Sequence, residues 1–141
     1  MLRVVCLLIF AVTSLAAEIH PRFYFDWQRQ AEEFLRFRVE AVEPKKLPQD
    51  EYVATRVRGR ILRVYRSKSR IAKGAEVEIR YTIFQPRENV AGPRPLPYLK
   101  PGSEHVFYGK VSERTKEGLW ILEPTAGGRS FDTVTREEAN L

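Results

Sequence analysis

The sequence predicts an all-β domain, a five-stranded small barrel with a short N-terminal amphipathic helix and a Pro-rich loop. Two observations support this class. Apolar and polar residues alternate with a period of two in several segments, which is typical of strands that bury one face. Between the third and fourth segments, residues 85–102 hold five of the nine prolines and cannot be regular structure. An immunoglobulin-like sandwich would need about seven strands, more than the sequence provides.

Residues 1–17 have the pattern of a cleavable signal peptide. A single positive charge precedes an uninterrupted apolar run, residues 4–12, which is too short to span a bilayer. Small residues follow, so cleavage is expected after Ala16 or Ala17. An uncleaved anchor or a buried first strand are the alternatives. Cys6, the only cysteine, would leave with the signal, so the mature chain would have no disulfide and no cysteine nucleophile.

We therefore expect a secreted or periplasmic protein, and the lack of disulfides favours a bacterial envelope. The chain carries 24 Lys and Arg against 18 Asp and Glu, and 30% of its residues are charged. Such a mixed surface permits a nucleic-acid partner without demanding one. There is no second long apolar segment, so no membrane span is expected after removal of the signal.

The mature chain is expected to begin with a helical arm, residues 18–33. Phe23, Trp27, Ala31 and Phe34 follow one another at spacings of four, four and three, which places them on one helical face. The pattern predicts an amphipathic helix over residues 21–33 that caps the open end of the core. The alternative is an aromatic arm that docks on a partner.

The predicted strands are residues 34–41, 52–65, 75–84, 105–111 and 119–122. In the second strand the apolar phase slips by one residue between Ile61 and Leu62. A β-bulge at residues 59–62, near Gly59, would absorb the slip and bend the strand as a small barrel requires. Residues 44–50 are predicted to be a loop. The apolar Leu96, Tyr98 and Leu99 are expected to pack the Pro-rich segment on the barrel.

At the C-terminal end, residues 125–128 form a predicted turn, Ser130 and Phe131 a short edge strand, and residues 133–141 a charged tail. The barrel domain is thus assigned to residues 34–132. Five strands with turn signals, one of them long and bulged, match an OB-like barrel best among the small barrels.

Glycine turns between apolar strands carry a resemblance to a known superfamily. The motifs are Val57-x-Gly59-x-Ile61-x-x-Val64, Lys73-Gly74-Ala75-Glu76-Val77-Glu78-Ile79-x-Tyr81, Leu99-Lys100-Pro101-Gly102-Ser103-Glu104-His105-Val106-Phe107-Tyr108 and Thr125-Ala126-Gly127-Gly128-x-Ser130-Phe131. Residues 53–131 resemble the OB-type barrel of the superfamily that includes the tissue inhibitors of metalloproteinases and the netrin modules. The resemblance implies a barrel with an extracytoplasmic binding role. The inhibitors act through an N-terminal cysteine that binds the protease zinc, and the expected mature chain has no cysteine, so inhibition is not implied.

The sequence predicts no catalytic residue, metal ligand or cofactor. His20 and His105 have no second ligand at metal-binding spacing. Ser103, Glu104 and His105 are consecutive, but neighbours in a strand point to opposite faces and a nucleophile elbow is absent. They are therefore rejected as a catalytic triad.

An arginine-rich strand is the most distinctive feature. The candidate binding residues are Arg56, Arg58, Arg60, Arg63, Tyr65 and Arg80. A basic groove beside an aromatic ring is how OB-folds hold single-stranded nucleic acid. However, Glu40, Glu76 and Glu78 lie on the same polar faces, and cross-strand ion pairs would neutralise the arginines. A binding face and a paired, solvated face both remain open.

These observations favour a non-catalytic exported module that binds a protein, peptide or glycan partner. Its expected surfaces are the Pro-rich residues 86–101 and the arginine-rich strand. The alternatives are a polyanion or single-stranded nucleic-acid binder, a protease inhibitor by resemblance, and an unrecognised hydrolase. A nucleic-acid partner is disfavoured because export removes most nucleic acid from reach.

Overall fold

The computed structural model of the chain describes residues 19–48, 51–86 and 94–141. The predicted signal peptide, its cleavage site at Ala16 and Ala17, and Cys6 lie outside the described residues. So do two residues of the predicted loop at 44–50 and seven residues of the Pro-rich segment. Within the described ranges, no helix is both long and apolar enough to cross a membrane.

Five strands form the closed barrel that the sequence predicts. Their order around the barrel is β1-β2-β3-β5-β4, and β4 closes it by pairing with β1. The β3–β5 pair is parallel and the other four pairs are antiparallel. The elements are α1 (Pro21–Gln30), β1 (Glu33–Lys46), β2 (Tyr52–Ser67), β3 (Glu76–Phe84), β4 (Glu104–Arg114), β5 (Trp120–Pro124), a 3₁₀ turn (Gly127–Arg129) and α2 (Arg136–Ala139). The predicted all-β class, with a short N-terminal helix, is therefore confirmed.

Apolar side chains at alternate strand positions fill the barrel interior. Phe37, Phe107 and Phe131 form its centre, with ring centroids 5.7–6.4 Å apart. These rings pack edge-on or tilted, as aromatic groups prefer. The inward positions predicted for β3 are confirmed as buried: Val77, Ile79, Tyr81 and Ile83.

The predicted bulge in β2 is confirmed. Arg63 pairs with Arg36 and Ile61 with Phe37, so Leu62 is the extra residue. Gly59 has a different role from the one expected, because it lies beside the bulge and permits a close approach of β1. A Cβ atom on Gly59 would lie 2.5 Å from the Arg38 carbonyl oxygen.

The predicted end of β1 is wrong, and the predicted loop is wrong at residues 44–46, whereas Leu47 and Pro48 lie outside the strands as expected. β1 continues through Pro44 to Lys46, and a register shift makes Glu40 an extra residue. This shift leaves Ala41 exposed and turns Val42 toward the core. β4 pairs with residues 33–38 of β1, and Val39 exchanges hydrogen bonds with Gly102 and Ser103. Pro44 lies beyond these contacts, where β2 is the one strand partner among the described residues and a proline is tolerated.

The predicted helical face is also wrong in part. α1 ends at Gln30, and Phe34 belongs to β1, so the predicted helix is three residues too long. Tyr24 and Gln28 are the buried residues of α1, whereas Phe23 is 57% exposed. Gln28 faces inward because its amide bonds to the backbone of the C-terminal segment.

Ser130 and Phe131 do not form the predicted edge strand. The Ser130 hydroxyl donates to the Gly127 carbonyl and accepts from the Ala126 amide, which closes the 3₁₀ turn and directs Phe131 into the core. Within residues 133–141, Thr135 begins α2 with a capping box completed by Glu138. α2 contacts α1, so part of the charged tail packs against the domain.

Arg66 fastens the end of α1 to the barrel. Its guanidinium group donates to the carbonyl oxygens of Ala31, at 2.9 Å, and Gln28, at 2.7 Å. These carbonyls have no partner within a helix, and a cation at this end also meets the negative pole of the helix. We expect Arg66→Leu to lower the free energy of unfolding by about 1–2 kcal/mol in urea denaturation.

Lys68→Leu is the matched control for Arg66. The Lys68 side chain forms an exposed ion pair with Glu32, and its backbone bond to Glu32 survives the substitution, so the free energy of unfolding should change by less than about 0.5 kcal/mol. Equal effects of the two substitutions would show that Arg66 does not cap α1.

Candidate functional site

The structure divides the predicted binding residues between two parts of the barrel surface. Arg80 points outward from β3 and is the cross-strand partner of Arg56 on β2. The first group comprises Arg56, Arg58, Arg60 and Arg80. The second group, Arg63 and Tyr65, lies beyond the bulge at Leu62, on the part of β2 that pairs with the start of β1. The residues therefore do not form one continuous stripe.

Glutamates pair with much of the first group. Arg58 contacts Glu76 at 3.4 Å and Glu78 at 3.5 Å, and Arg80 contacts Glu78 at 2.6 Å. Arg60 pairs with Glu40 of β1 at 3.0 Å. The Glu78 side chain is only 6% exposed, so the two arginines compensate a buried carboxylate. The expected cross-strand pairing is present at these arginines.

Tyr65 makes two contacts through its ring. The ring stacks on Phe34, with centroids 4.4 Å apart, and the Arg63 guanidinium lies over the ring at 4.8 Å. Phe34 in turn stacks on Tyr108 at 4.3 Å. Tyr65 is 40% exposed, but Phe34 and Arg63 already occupy part of the ring surface on which a nucleic-acid base would stack.

A basic hollow lies between the outer β2–β3 face and the β4–β5 turn, with a volume of about 750 Å³. It contains only some of the predicted arginines. Sequence reasoning missed its two further arginines, Arg70 and Arg114, because one lies in the β2–β3 turn and the other at the end of β4, far away in the chain. The parallel β3–β5 pairing that brings Trp120 beside Val77 also has no local signal. The charged residues lining it are Arg56, Arg58, Arg70, Arg80, Arg114, Glu76, Glu78 and Glu117.

An apolar cleft of about 1090 Å³ lies at the opposite end of β3. Phe84 and Tyr98 line it and are 37% and 50% exposed. Tyr52, 41% exposed, stands next to Phe84 with ring centroids 5.2 Å apart. Other described lining residues include Pro86, Pro95, Leu96, Pro97, His105 and Asp132. Exposed aromatic rings thus cluster at one end of the barrel.

Hydrogen bonds hold the described part of the Pro-rich segment beside β3. The Tyr81 hydroxyl donates to the Pro97 carbonyl at 2.9 Å, and burial raises the pKa of Tyr81, which keeps this hydroxyl protonated. The Tyr98 hydroxyl donates to Gln85 at 3.0 Å. Leu96 and Leu99 pack against the core as expected, whereas Tyr98 is half exposed.

Ser103 and His105 contact each other, which the sequence argument did not foresee. Residues two apart in a strand share a face, and the Ser103 Oγ atom lies 2.8 Å from His105 Nε2. Glu104 points away, toward Arg36 and Arg38, and its hydrogen bond with Arg38 lowers the pKa of its carboxyl group. The adjacent carboxylate is therefore no partner for the histidine.

The Ser103 hydroxyl closes a turn. It donates to the Lys100 carbonyl at 2.5 Å, so the hydrogen-bond network assigns the proton between Ser103 and His105 to Nε2. Burial, and secondarily Arg36, lowers the pKa of His105, which is neutral at pH 7. The amides of Gly102 and Ser103 donate to backbone carbonyls, so neither is open to bind an oxyanion.

His20 caps α1 rather than standing free. Its Nδ1 atom accepts a hydrogen bond from the Arg22 amide at 3.1 Å. In the part of the chain that the structure describes, no three His, Cys, Asp or Glu side chains are grouped so that they could hold a metal ion.

Comparison with known proteins gives no relative. No family model matches the chain, and neither a curated protein nor a solved structure is significantly similar to it. The resemblance to the superfamily of metalloproteinase inhibitors and netrin modules stays a prediction.

Proposed function

We propose that this chain is a non-catalytic, exported binding module that holds an apolar peptide segment of a protein partner in the cleft at the end of β3. The observation that carries this proposal is the size of the cleft together with the exposure of Phe84 and Tyr98 on its walls. Clustered, exposed aromatic rings beside a concave apolar surface are typical of protein-binding sites.

The build of the cleft supports a preorganised site. Tyr81 and Gln85 anchor the proline-rich wall through Pro97 and Tyr98, and proline restricts backbone freedom further. A wall that is ordered before binding loses little entropy when a ligand enters. The remaining ring nitrogen of His105 and the paired side chains of Arg94 and Asp132 supply polar groups among the apolar lining, which could orient a peptide backbone.

A non-catalytic role is supported by the surroundings of Ser103. Its hydroxyl proton is donated to a backbone carbonyl, and the amides of Gly102 and Ser103 are engaged elsewhere. A serine nucleophile needs a base that accepts its proton and donors for the oxyanion. The alternative of single-strand nucleic-acid binding has less support, because glutamates pair with Arg58, Arg60 and Arg80, and because the Tyr65 ring already contacts Phe34 and Arg63.

Selection of a displayed peptide library on residues 18–141 tests the cleft. We expect enrichment of peptides with a large apolar anchor residue. Truncation of a central aromatic residue costs about 1.5–3 kcal/mol of binding free energy. Phe84→Ser and Tyr98→Ser should therefore each raise the dissociation constant by about tenfold or more.

Phe23→Ser is the control, because Phe23 is an aromatic residue on α1 that is more exposed than Phe84 and Tyr98 and does not line the cleft. It should leave the dissociation constant unchanged. The proposal fails if no peptide is enriched, or if Phe23→Ser weakens binding as much as Phe84→Ser does.

A further inference from the structure

The basic hollow is a second surface that the proposed function does not use. It shares no described lining residue with the apolar cleft, and the two lie toward opposite ends of β3. Five guanidinium groups and three carboxylates line it, so its charge is positive.

Two of the arginines are held in place by a buried carboxylate. Glu78 contacts Arg80 at 2.6 Å and Arg58 at 3.5 Å, and Arg58 also reaches Glu76. Each guanidinium group has five N–H donors, and these contacts use only some of them. Glu78 thus orders two arginines whose remaining donors can meet a ligand at a low entropic cost.

The other three arginines have no carboxylate partner within the ranges that the structure describes, which leaves their charge unneutralised. Arg56 lies on β2, opposite Arg80. Arg114 lies over the ring of Trp120, 4.2 Å from its centroid, so its guanidinium plane is positioned. Arg70 lies in the β2–β3 turn at a φ of 61°, a conformation that few residues other than glycine adopt.

We propose that the basic hollow binds an acidic segment of a polypeptide, whose side-chain carboxylates meet Arg56, Arg70 and Arg114. The planar fork of a guanidinium group matches a carboxylate with two parallel hydrogen bonds. Glu76, Glu78 and Glu117 line the same hollow and repel a ligand with densely spaced charges, such as a polyphosphate or a sulfated glycan. Separate carboxylates along a peptide can avoid these glutamates.

The surrounding surface also favours a short ligand over a long polyanion. The β4–β5 turn walls one side of the hollow through Thr115, Glu117 and Gly118. Arg60 and Arg63 lie outside the hollow, one paired with Glu40 and the other stacked on Tyr65. No basic track therefore continues along β2 from the described lining of the hollow.

Titration with a fluorescein-labelled hexaglutamate peptide at low ionic strength tests the site. Fluorescence anisotropy of residues 18–141 should show binding that weakens as salt is added, because salt screens exposed charges. Replacement of a single exposed charge changes affinity modestly, so Arg56→Gln, Arg70→Gln and Arg114→Gln should each weaken binding by about three- to tenfold. Arg63→Gln, on the same strand but outside the hollow, should change it by less than about twofold.

Glu117→Gln tests the site through an expected gain of affinity, which misfolding would not produce. It removes a carboxylate from the hollow, and we expect hexaglutamate to bind about twofold to threefold more tightly. If Arg114→Gln loses the contact with Trp120 and unfolds, hexaglutamate binding by the variants of the exposed Arg56 and Arg70 still tests the proposal.

Competing ligands and one further variant complete the experiment. Tighter binding of a heparin oligosaccharide or oligothymidylate than of hexaglutamate would overturn the proposal in favour of a general polyanion site. No binding of hexaglutamate, or equal loss with Arg63→Gln, would also overturn it. Phe84→Ser should leave hexaglutamate binding intact, which separates failure of this site from failure of the apolar cleft.

Discussion

Replacing Gln28 by leucine is expected to lower the free energy of unfolding by about 3 kcal/mol, because it leaves buried backbone groups without partners. The side chain of Gln28 is buried in α1. Its amide nitrogen donates to the carbonyls of Arg129 and Asp132, both at 2.7 Å, and its oxygen accepts from the Val134 amide at 2.9 Å. Leucine has a similar volume but can make none of these hydrogen bonds.

Urea denaturation of residues 18–141 measures this effect, and Gln30→Leu is the matched control. Gln30 lies at the end of the same helix and is exposed, so its replacement should change the free energy of unfolding by less than about 0.5 kcal/mol. A loss below about 1 kcal/mol for Gln28→Leu would mean that α1 and the C-terminal segment do not depend on this amide.

Replacing Gly59 by alanine is expected to lower the free energy of unfolding by about 2–3 kcal/mol, because the interior has no room for a methyl group. The new Cβ atom would lie 2.5 Å from the Arg38 carbonyl oxygen and 2.9 Å from Cδ2 of Phe37. The carbonyl belongs to the β1 backbone, so β1 and β2 would have to separate. Phe37 is fully buried and cannot move without disturbing Phe107 and Phe131.

A double-mutant cycle separates the two contacts of Gly59. Phe37→Leu removes the ring that a Cβ atom would strike, so Gly59→Ala should cost less in that background than in the wild type. Thr82→Val, at an exposed position of β3, is the control and should change stability by less than about 0.5 kcal/mol. The close approach of β1 and β2 would be refuted if Gly59→Ala were as mild as Thr82→Val.

The prediction of the fold succeeded where the signal was local. Leu35, Phe37 and Val39 alternate with polar residues, and all three are buried as predicted. The slip in β2 was visible as a break in that alternation, and the bulge lies there. The prediction failed at Ala41, because the extra residue Glu40 in the β1–β2 pairing depends on a register between two strands.

In the candidate site, too, local patterns were predicted correctly and contacts that depend on strand register were not. The arginines of β2 were found from their spacing, but the sharing of buried Glu78 between Arg58 and Arg80 depends on the β2–β3 register. The contact of Ser103 with His105 was not predicted, although two residues separated by two positions in an extended chain lie on the same face.

The sequence by itself determined the all-β class, the number of strands and most of their buried faces. These properties follow from side-chain periodicity, which each segment of the chain carries on its own. Only the tertiary structure decided which surfaces exist. Closure of the barrel brings Arg70, Arg114 and Trp120 to the arginines of β2, and it places Phe84 beside Tyr98. The proximity of these side chains depends on strand register and on contacts between distant segments, which no local pattern encodes.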